Sequence, residues 1–316
     1  MLTSAPVPVT EKDGRPGYRP FAVEVARLTP LSPHFMRVTL AGEGLADLGT
    51  DGLDQRIKLV FPHPDGTFGD AGWEDEATIA AGDWYRRWRA LPDHERNPFR
   101  TYTVRLPRPA EREVDVDFVV HGDGGPAARW LEAARPGDRV ILVGPDARSR
   151  HSATGIEWRP GAARELLLAG DETALPAVAA ILAALPAGAR AHVVLEVPDA
   201  GDRLPLDCAA ELTVDCIVRG TGESRLVAAV EAWTAAHPDR LAGAVTEAPQ
   251  ELPAVDIDAE ILWEAPAAAA AGFYAWLAGE AGAITALRRH LVRGLGVDRS
   301  RVAFMGYWRR GRAEAQ

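Results

Sequence analysis

Arg100-Thr101-Tyr102-Thr103 and, further on, Val116-Asp117-Phe118-Val119-Val120-His121-Gly122-Asp123-Gly124-Gly125-Pro126-Ala127-Ala128-Arg129-Trp130 decide how this chain is read. The first stretch lies in an alternating strand pattern and sets a fixed cation, a hydroxyl, an aromatic ring and a second hydroxyl on consecutive positions. The second is a strand that runs through a glycine-rich turn into a helix opened by proline, whose missing N–H would be unpaired in a first helical turn in any case. The other N–H groups of that turn stay free, and the helix end carries roughly half a positive charge. An anion is well served there, and the small Ala127 and Ala128 let it approach the backbone.

Taken alone, that turn is an ordinary strand–turn–helix connection. Strands that neighbour one another in a barrel bring it beside Arg100 and Tyr102. The two segments together, Arg100 to Thr103 with Asp117, Val119, His121, Gly125, Pro126, Ala127 and Ala128, suit a diphosphate joined to a flat redox ring, which is the make-up of FAD.

Six short strands are expected in the first half, at 21–25, 36–40, 55–61, 100–106, 113–120 and 139–143, and turn signals between them indicate a small antiparallel barrel. Residues 62–98 interrupt the pattern. Their Trp73, Trp84, Tyr85 and Trp88, with one helical stretch at 83–90, indicate a packed flap. After residue 155 the rhythm changes to strands at 165–170, 191–197, 212–218, 259–263 and 301–305 alternating with helices at 173–185, 224–236 and 279–294. Such alternation indicates a doubly wound parallel sheet. The expected fold is therefore β followed by α/β: a six-stranded FAD-binding barrel over 1–155 with 62–98 inserted, then a nicotinamide-nucleotide domain over 156–316 that ends in an aromatic and basic segment.

The chain has 316 residues, 47% of them hydrophobic, and a formal net charge of -10. An acidic body attracts neither nucleic acid nor an anionic membrane surface. Two cysteines, Cys208 and Cys216, make no disulfide framework, and the eight histidines show no metal-ligand spacing. The N-terminus lacks a basic and then apolar leader, and Ala267 to Ala271 is too short to cross a bilayer. A cytoplasmic monomer with no permanent metal is the expectation.

In the second half, Gly170-Asp171-Glu172-Thr173-Ala174 follows the first strand without the G-x-G-x-x-G fingerprint. Asp171 and Glu172 would repel a diphosphate, so this turn suits a nicotinamide ring and its ribose; a plain helix cap is the other reading. Glu196, near a strand end, is a candidate acceptor from adenine or ribose. Arg219 after the next strand is either a ligand for an adenosine 2′-phosphate, since ligands collect at the carboxyl ends of such strands, or a plain solvated arginine. Glu280 opens the 279–294 helix. Tyr307 and Trp308 either shield a flavin face until nicotinamide displaces them or plug the sheet edge.

These pieces in this order resemble the siderophore-interacting proteins, a branch of the ferredoxin reductase-like flavoproteins. The resemblance rests on Arg100-Thr101-Tyr102-Thr103-Val104-Arg105, on 117–122 with Gly125-Pro126-Ala127, on Gly170 to Ala177, on Gly279-Glu280-Ala281, on Gly306-Tyr307-Trp308-Arg309-Arg310-Gly311, and on Tyr85 to Pro92 in the insertion. It spans about residues 21–311 and is specific as a combination. It implies transfer of electrons from NADPH or NADH through FAD to ferric iron held by a siderophore, which then leaves as Fe(II). It also implies a basic cluster for the anionic chelate, for which Lys58, Arg148 and Arg309 stand at matching positions. Ala128 departs from a serine common in the family and removes one hydroxyl contact to the flavin phosphates. A flavin reductase serving a ferredoxin or an oxygenase, and a non-catalytic binder of ferric chelates, are the alternatives.

Overall fold

Alternating apolar and polar side chains shape seven strands in the first half: β1 (Tyr18–Ser32), β2 (Phe35–Ala41), β3 (Arg56–Val60), β4 (Phe99–Thr103), β5 (Leu106–Arg108), β6 (Glu113–Val119) and β7 (Arg139–Pro145). These come from a computed structural model, which describes residues 12–49, 51–120, 125–248, 250–253, 262–267 and 272–311. Every pairing is antiparallel, in the order β4-β3-β7-β1-β2-β6-β5. The sequence pattern indicated six strands because it reads 100–106 as one run. The run divides where its partners change: Val104 N–H donates to the Gln55 carbonyl at 3.1 Å, and Arg105 N–H donates to the Asp115 carbonyl at 3.0 Å. The first and last strands of the sheet are thus consecutive in the chain, and the sheet curls around Val38, Leu40, Ile57, Leu59, Val114, Val116, Phe118 and Leu142.

The insertion holds two short helices, α1 (Glu76–Ala81) and α2 (Trp84–Ala90), where one was expected. Trp73, Trp84 and Trp88 pack on Val60, Phe99, Ile141 and Val143 of the sheet, and Trp88 Nε1–H donates to the Asn97 carbonyl at 2.9 Å. It is a packed flap. After β6 comes α3 (Pro126–Ala133).

The second half forms β8 (Ala163–Gly170), β9 (Arg190–Val197), β10 (Glu211–Val218), β11 (Trp263–Glu264), β12 (Gly272–Glu280) and β13 (Val302–Trp308), ordered β10-β9-β8-β12-β13-β11. The pairings from β10 to β13 are parallel, and β11 runs antiparallel to β13, so the sheet is mixed rather than purely parallel. Residues 259–261 of the strand expected at 259–263 lie outside the described residues; the strand seen there is Trp263–Glu264. The central strand β12 was not anticipated, and the helix expected from 279 begins two residues later.

Of the remaining helices, α4 (Leu175–Ala183) packs against Leu166, Leu168, Trp276 and Met305. On the other face, α5 (Leu226–Ala236), α6 (Pro238–Ala242) and α7 (Ala281–Arg288) cover Leu167, Ala169, Leu277 and Phe304. Among the described residues no helix is long and apolar enough to cross a membrane.

Asp54, 2% exposed just before β3, ties the two sheets together. It accepts from the N–H groups of Glu157 and Trp158, each at 3.1 Å, and from Trp276 Nε1–H of β12 at 2.8 Å. Asp202, after β9, likewise accepts from Ser32 Oγ–H at 2.7 Å and His34 N–H at 3.0 Å in the β1–β2 turn.

Candidate functional site

Register places the β4 residues on two faces. Arg100 and Tyr102 lie opposite Leu59 and Ile57, whereas Thr101 and Thr103 lie opposite Lys58 and Arg56. The Tyr102 ring sits 4.3 Å from that of Phe118 on β6, and Phe118 sits 5.8 Å from Trp130 on α3. This run of rings brings β4 against α3, the neighbourhood that a shared site requires. Gly125 caps α3 in an extended conformation and contributes no side chain, and Pro126 follows it. Among the described residues no side chain caps the first-turn amides of Ala127 and Ala128, as an anion cradle needs. Arg100 Nη1–H donates to the Phe99 carbonyl at 2.7 Å, which anchors the guanidinium beside its own strand. These residues fit the diphosphate and ring of FAD. His121, with 122–124, lies outside the described residues.

Two other residues of that set are engaged elsewhere. The Asp117 carboxylate takes Arg37 as a fork, at 2.7 and 2.9 Å, on the face away from Phe118. Val119 pairs with Phe35 and packs toward the core of the second sheet.

At the carboxyl edge of the second sheet, three separate motifs converge on Asp171. Its carboxylate accepts from Thr173 N–H at 2.9 Å, from the Thr173 hydroxyl, from Glu280 N–H at 2.8 Å and from Trp308 Nε1–H at 2.8 Å. Burial, and then the neighbouring Glu172, push the Asp171 carboxyl up to about 6. Gly279 is required beside it: its φ is +147°, and an added Cβ would stand 2.6 Å from Asp171 Oδ2. Glu280 caps α7 by accepting from Ala283 N–H at 2.9 Å and also receives Arg310 N–H at 3.3 Å. Ala174 is fully buried under this turn.

Arg219 does not stand free for a phosphate. Its guanidinium forks onto Glu172 at 2.6 and 2.9 Å and reaches Glu196 at 3.2 Å, and both carboxylates are 1% exposed. Glu196 also accepts from Arg225 N–H. The three side chains brace the ends of β8, β9 and β10 as one buried network, and two carboxylates hold Arg219 where a 2′-phosphate was expected.

Sequence reading singled out Tyr307 and Trp308 but missed the partners that surround Tyr307 at the junction between the sheets. Tyr307 stacks on Trp263, with ring centroids 5.7 Å apart, and meets Trp276 edge-on at 6.2 Å. The Arg56 guanidinium lies 4.2 Å over the Trp263 ring and bonds Glu157 at 2.9 Å. Burial, with Asp54 close by, holds the Tyr307 phenol well above its usual range. Residues from β3, β11, β12 and β13 meet here, and no local spacing announces them.

Of the basic trio, Lys58 shares a face with Arg56 and lies 4.4 Å over the Phe99 ring, between the junction and the insertion. Arg148 forks onto Asp146, both bonds 2.9 Å, and pairs with Asp47 at 3.0 Å, so its charge is matched locally. Arg309 follows Trp308 at the end of β13. Two surface cavities, lined by His63, Phe68 and His94 and by Arg203, Leu206 and Cys216, involve none of these residues.

A curled antiparallel sheet followed by a mixed, helix-covered sheet is a ferredoxin reductase-like fold, and the ferredoxin reductase of carbazole 1,9a-dioxygenase superposes at a TM-score of 0.57 with 15% identity, over 92% of this chain and 70% of that one. Residues 24–149 match the siderophore-interacting FAD-binding domain and residues 163–311 the siderophore-interacting protein family; the chain belongs to that family. The ferric vibriobactin reductase ViuB of Vibrio cholerae is 29% identical over 298 residues, 93% of this chain and 91% of its own. The siderophore-interacting protein SipS from Aeromonas hydrophila superposes at a TM-score of 0.63 with 30% identity, over 94% of each chain.

Proposed function

We propose that this protein reduces the iron of ferric siderophores with electrons from NAD(P)H, by way of FAD, and releases Fe(II). The observation that carries the reading is the meeting of β4 with the start of α3 through Tyr102, Phe118 and Trp130. When bound, FAD supplies the conversion of a two-electron donor into one-electron steps toward Fe(III). Arg100 and the amides of Ala127 and Ala128 hold its diphosphate; Thr101, Tyr102 and Thr103 orient its ring.

Asp171, Thr173, Ala174 and Glu280 shape the nicotinamide site, with Glu172, Arg219 and Glu196 as its brace. Tyr307 and Trp308 keep water from the ring. Lys58 and Arg309, with Arg148, draw the anionic chelate: two unit charges 4 Å apart attract by about 4 kcal/mol at an effective dielectric near 20, before desolvation is subtracted. The FAD-carrying part is 1–155 and the nucleotide-binding part 156–316, in a cytoplasmic monomer that also accepts electrons from a ferredoxin.

The test is anaerobic stopped-flow: purified holoprotein is mixed with NADH or NADPH, then with ferric chelates, and Fe(II) is trapped. Lys58→Ala should slow only the second half-reaction. A protein that takes up no FAD would falsify the reading. The matched charge of Arg148 favours a second reading, a flavin reductase whose acceptor is a protein; flavin bleaching without Fe(II) release would select it.

A further inference from the structure

Resting on that reductase reading, we propose that Asp54 and Asp171, two buried carboxylates flanking the Tyr307–Trp308 pair, hold the reduction potential of the bound flavin low. Asp54 is 2% and Asp171 4% exposed. Among the described residues each receives only neutral donors: main-chain amides and the Trp276 indole for Asp54, main-chain amides, a hydroxyl and the Trp308 indole for Asp171. Donors alone, with no ion pair, leave two negative charges in place. The Arg56 guanidinium at the same junction is matched by Glu157 at 2.9 Å. The two carboxylates reach Tyr307–Trp308 from different elements, Asp54 through Trp276 and Asp171 through Trp308.

Reduction brings two electrons and one proton from NAD(P)H, which leaves as NAD(P)+, and the flavin ring becomes an anion near neutral pH. Like charges in a water-poor site disfavour that anion, so the oxidised ring is held in preference to the reduced one. Iron(III) gripped by hard anionic oxygens is difficult to reduce, and a low-potential donor is what such a substrate needs.

The test is the midpoint potential of the FAD-loaded protein, read by anaerobic spectral titration against a reference dye at about pH 8, where Asp171 is ionised. Asp54→Asn and Asp171→Asn are each expected to raise the potential by about 30 mV, the equivalent of a tenfold gain for the reduced form. Trp276→Phe, which changes packing and hydrogen bonding but no charge, should give no such rise. Potentials that stay at the wild-type value with FAD bound overturn the inference alone; a protein that binds no FAD overturns the reductase reading and this inference with it. Should one asparagine variant not fold, the other decides by the same readout. If neither folds, the slope of wild-type potential against pH decides: an added steepness near pH 6, with Glu172 the other acid beside Asp171, supports the inference, and its absence refutes it.

Discussion

Trp308 Nε1–H lies 2.8 Å from Asp171 Oδ2, so the last strand of the second sheet is fastened to the turn that follows its first. Trp308→Phe removes that donor together with part of the ring, so the lost bond sets the lower bound of the effect. A hydrogen bond to a charged group contributes about 1.5–3 kcal/mol. The variant should lose at least that much unfolding free energy in urea, and a loss below the scatter of the measurement would show the bond to be ornamental.

Asp171 also sets a pH dependence. Its carboxyl is raised to about 6 from an ordinary value of 3.8, chiefly by burial. Between those values the folded chain binds more proton than the unfolded one, so this group's contribution to stability falls as pH rises and is level above about pH 7. Asp171→Asn lacks the titration. The difference in unfolding free energy, wild type minus variant, should drop by about 2 kcal/mol between about pH 4 and pH 7. A difference that is flat with pH would rule this out.

Arg219 sits between Glu172 and Glu196. Arg219→Met leaves two buried carboxylates with no countercharge, which destabilises by about 3–5 kcal/mol. Adding Glu172→Gln and Glu196→Gln to it should restore most of the loss. Chemical denaturation of the single and triple variants checks this; a single variant as stable as wild type would mean that the network is not closed in solution.

Arg100→Ala removes a cation from the proposed diphosphate cradle without touching the buried core. Loss of a charged hydrogen bond of about 1.5–3 kcal/mol corresponds to roughly ten- to hundredfold weaker FAD binding. Fluorescence titration of apo protein measures it, and unaltered affinity would remove Arg100 from the cradle.

Much of the fold was legible because strands with one apolar and one polar face alternate, as 36–40 and 113–119 do, even where the polar face is itself covered. The division at Val104 and Arg105 was not, since apolar alternation runs through it and only the change of partner from Gln55 to Asp115 makes the break. Strand β12, Phe273-Tyr274-Ala275-Trp276-Leu277-Ala278, is buried on both faces and shows no period, so its sequence does not separate strand from helix.

The candidate site was legible as separate motifs. Their convergence on Asp171 was not, because Gly170 to Ala174, Gly279-Glu280 and Trp308 are distant in sequence and adjacent only across the sheet. The pairing of Arg219 was hidden for the same reason: the two carboxylates that hold this strand-end arginine lie 47 and 23 residues away.

Because Val104 and Arg105 carry the chain from one rim of the curled sheet to the other, neither rim has an end of its own that can fray alone. Opening β4 pulls on β5, and the peptide hydrogens of both become available to solvent in a single cooperative event. The strand proposed to grip the cofactor is thereby tied at its end to the opposite border of the sheet.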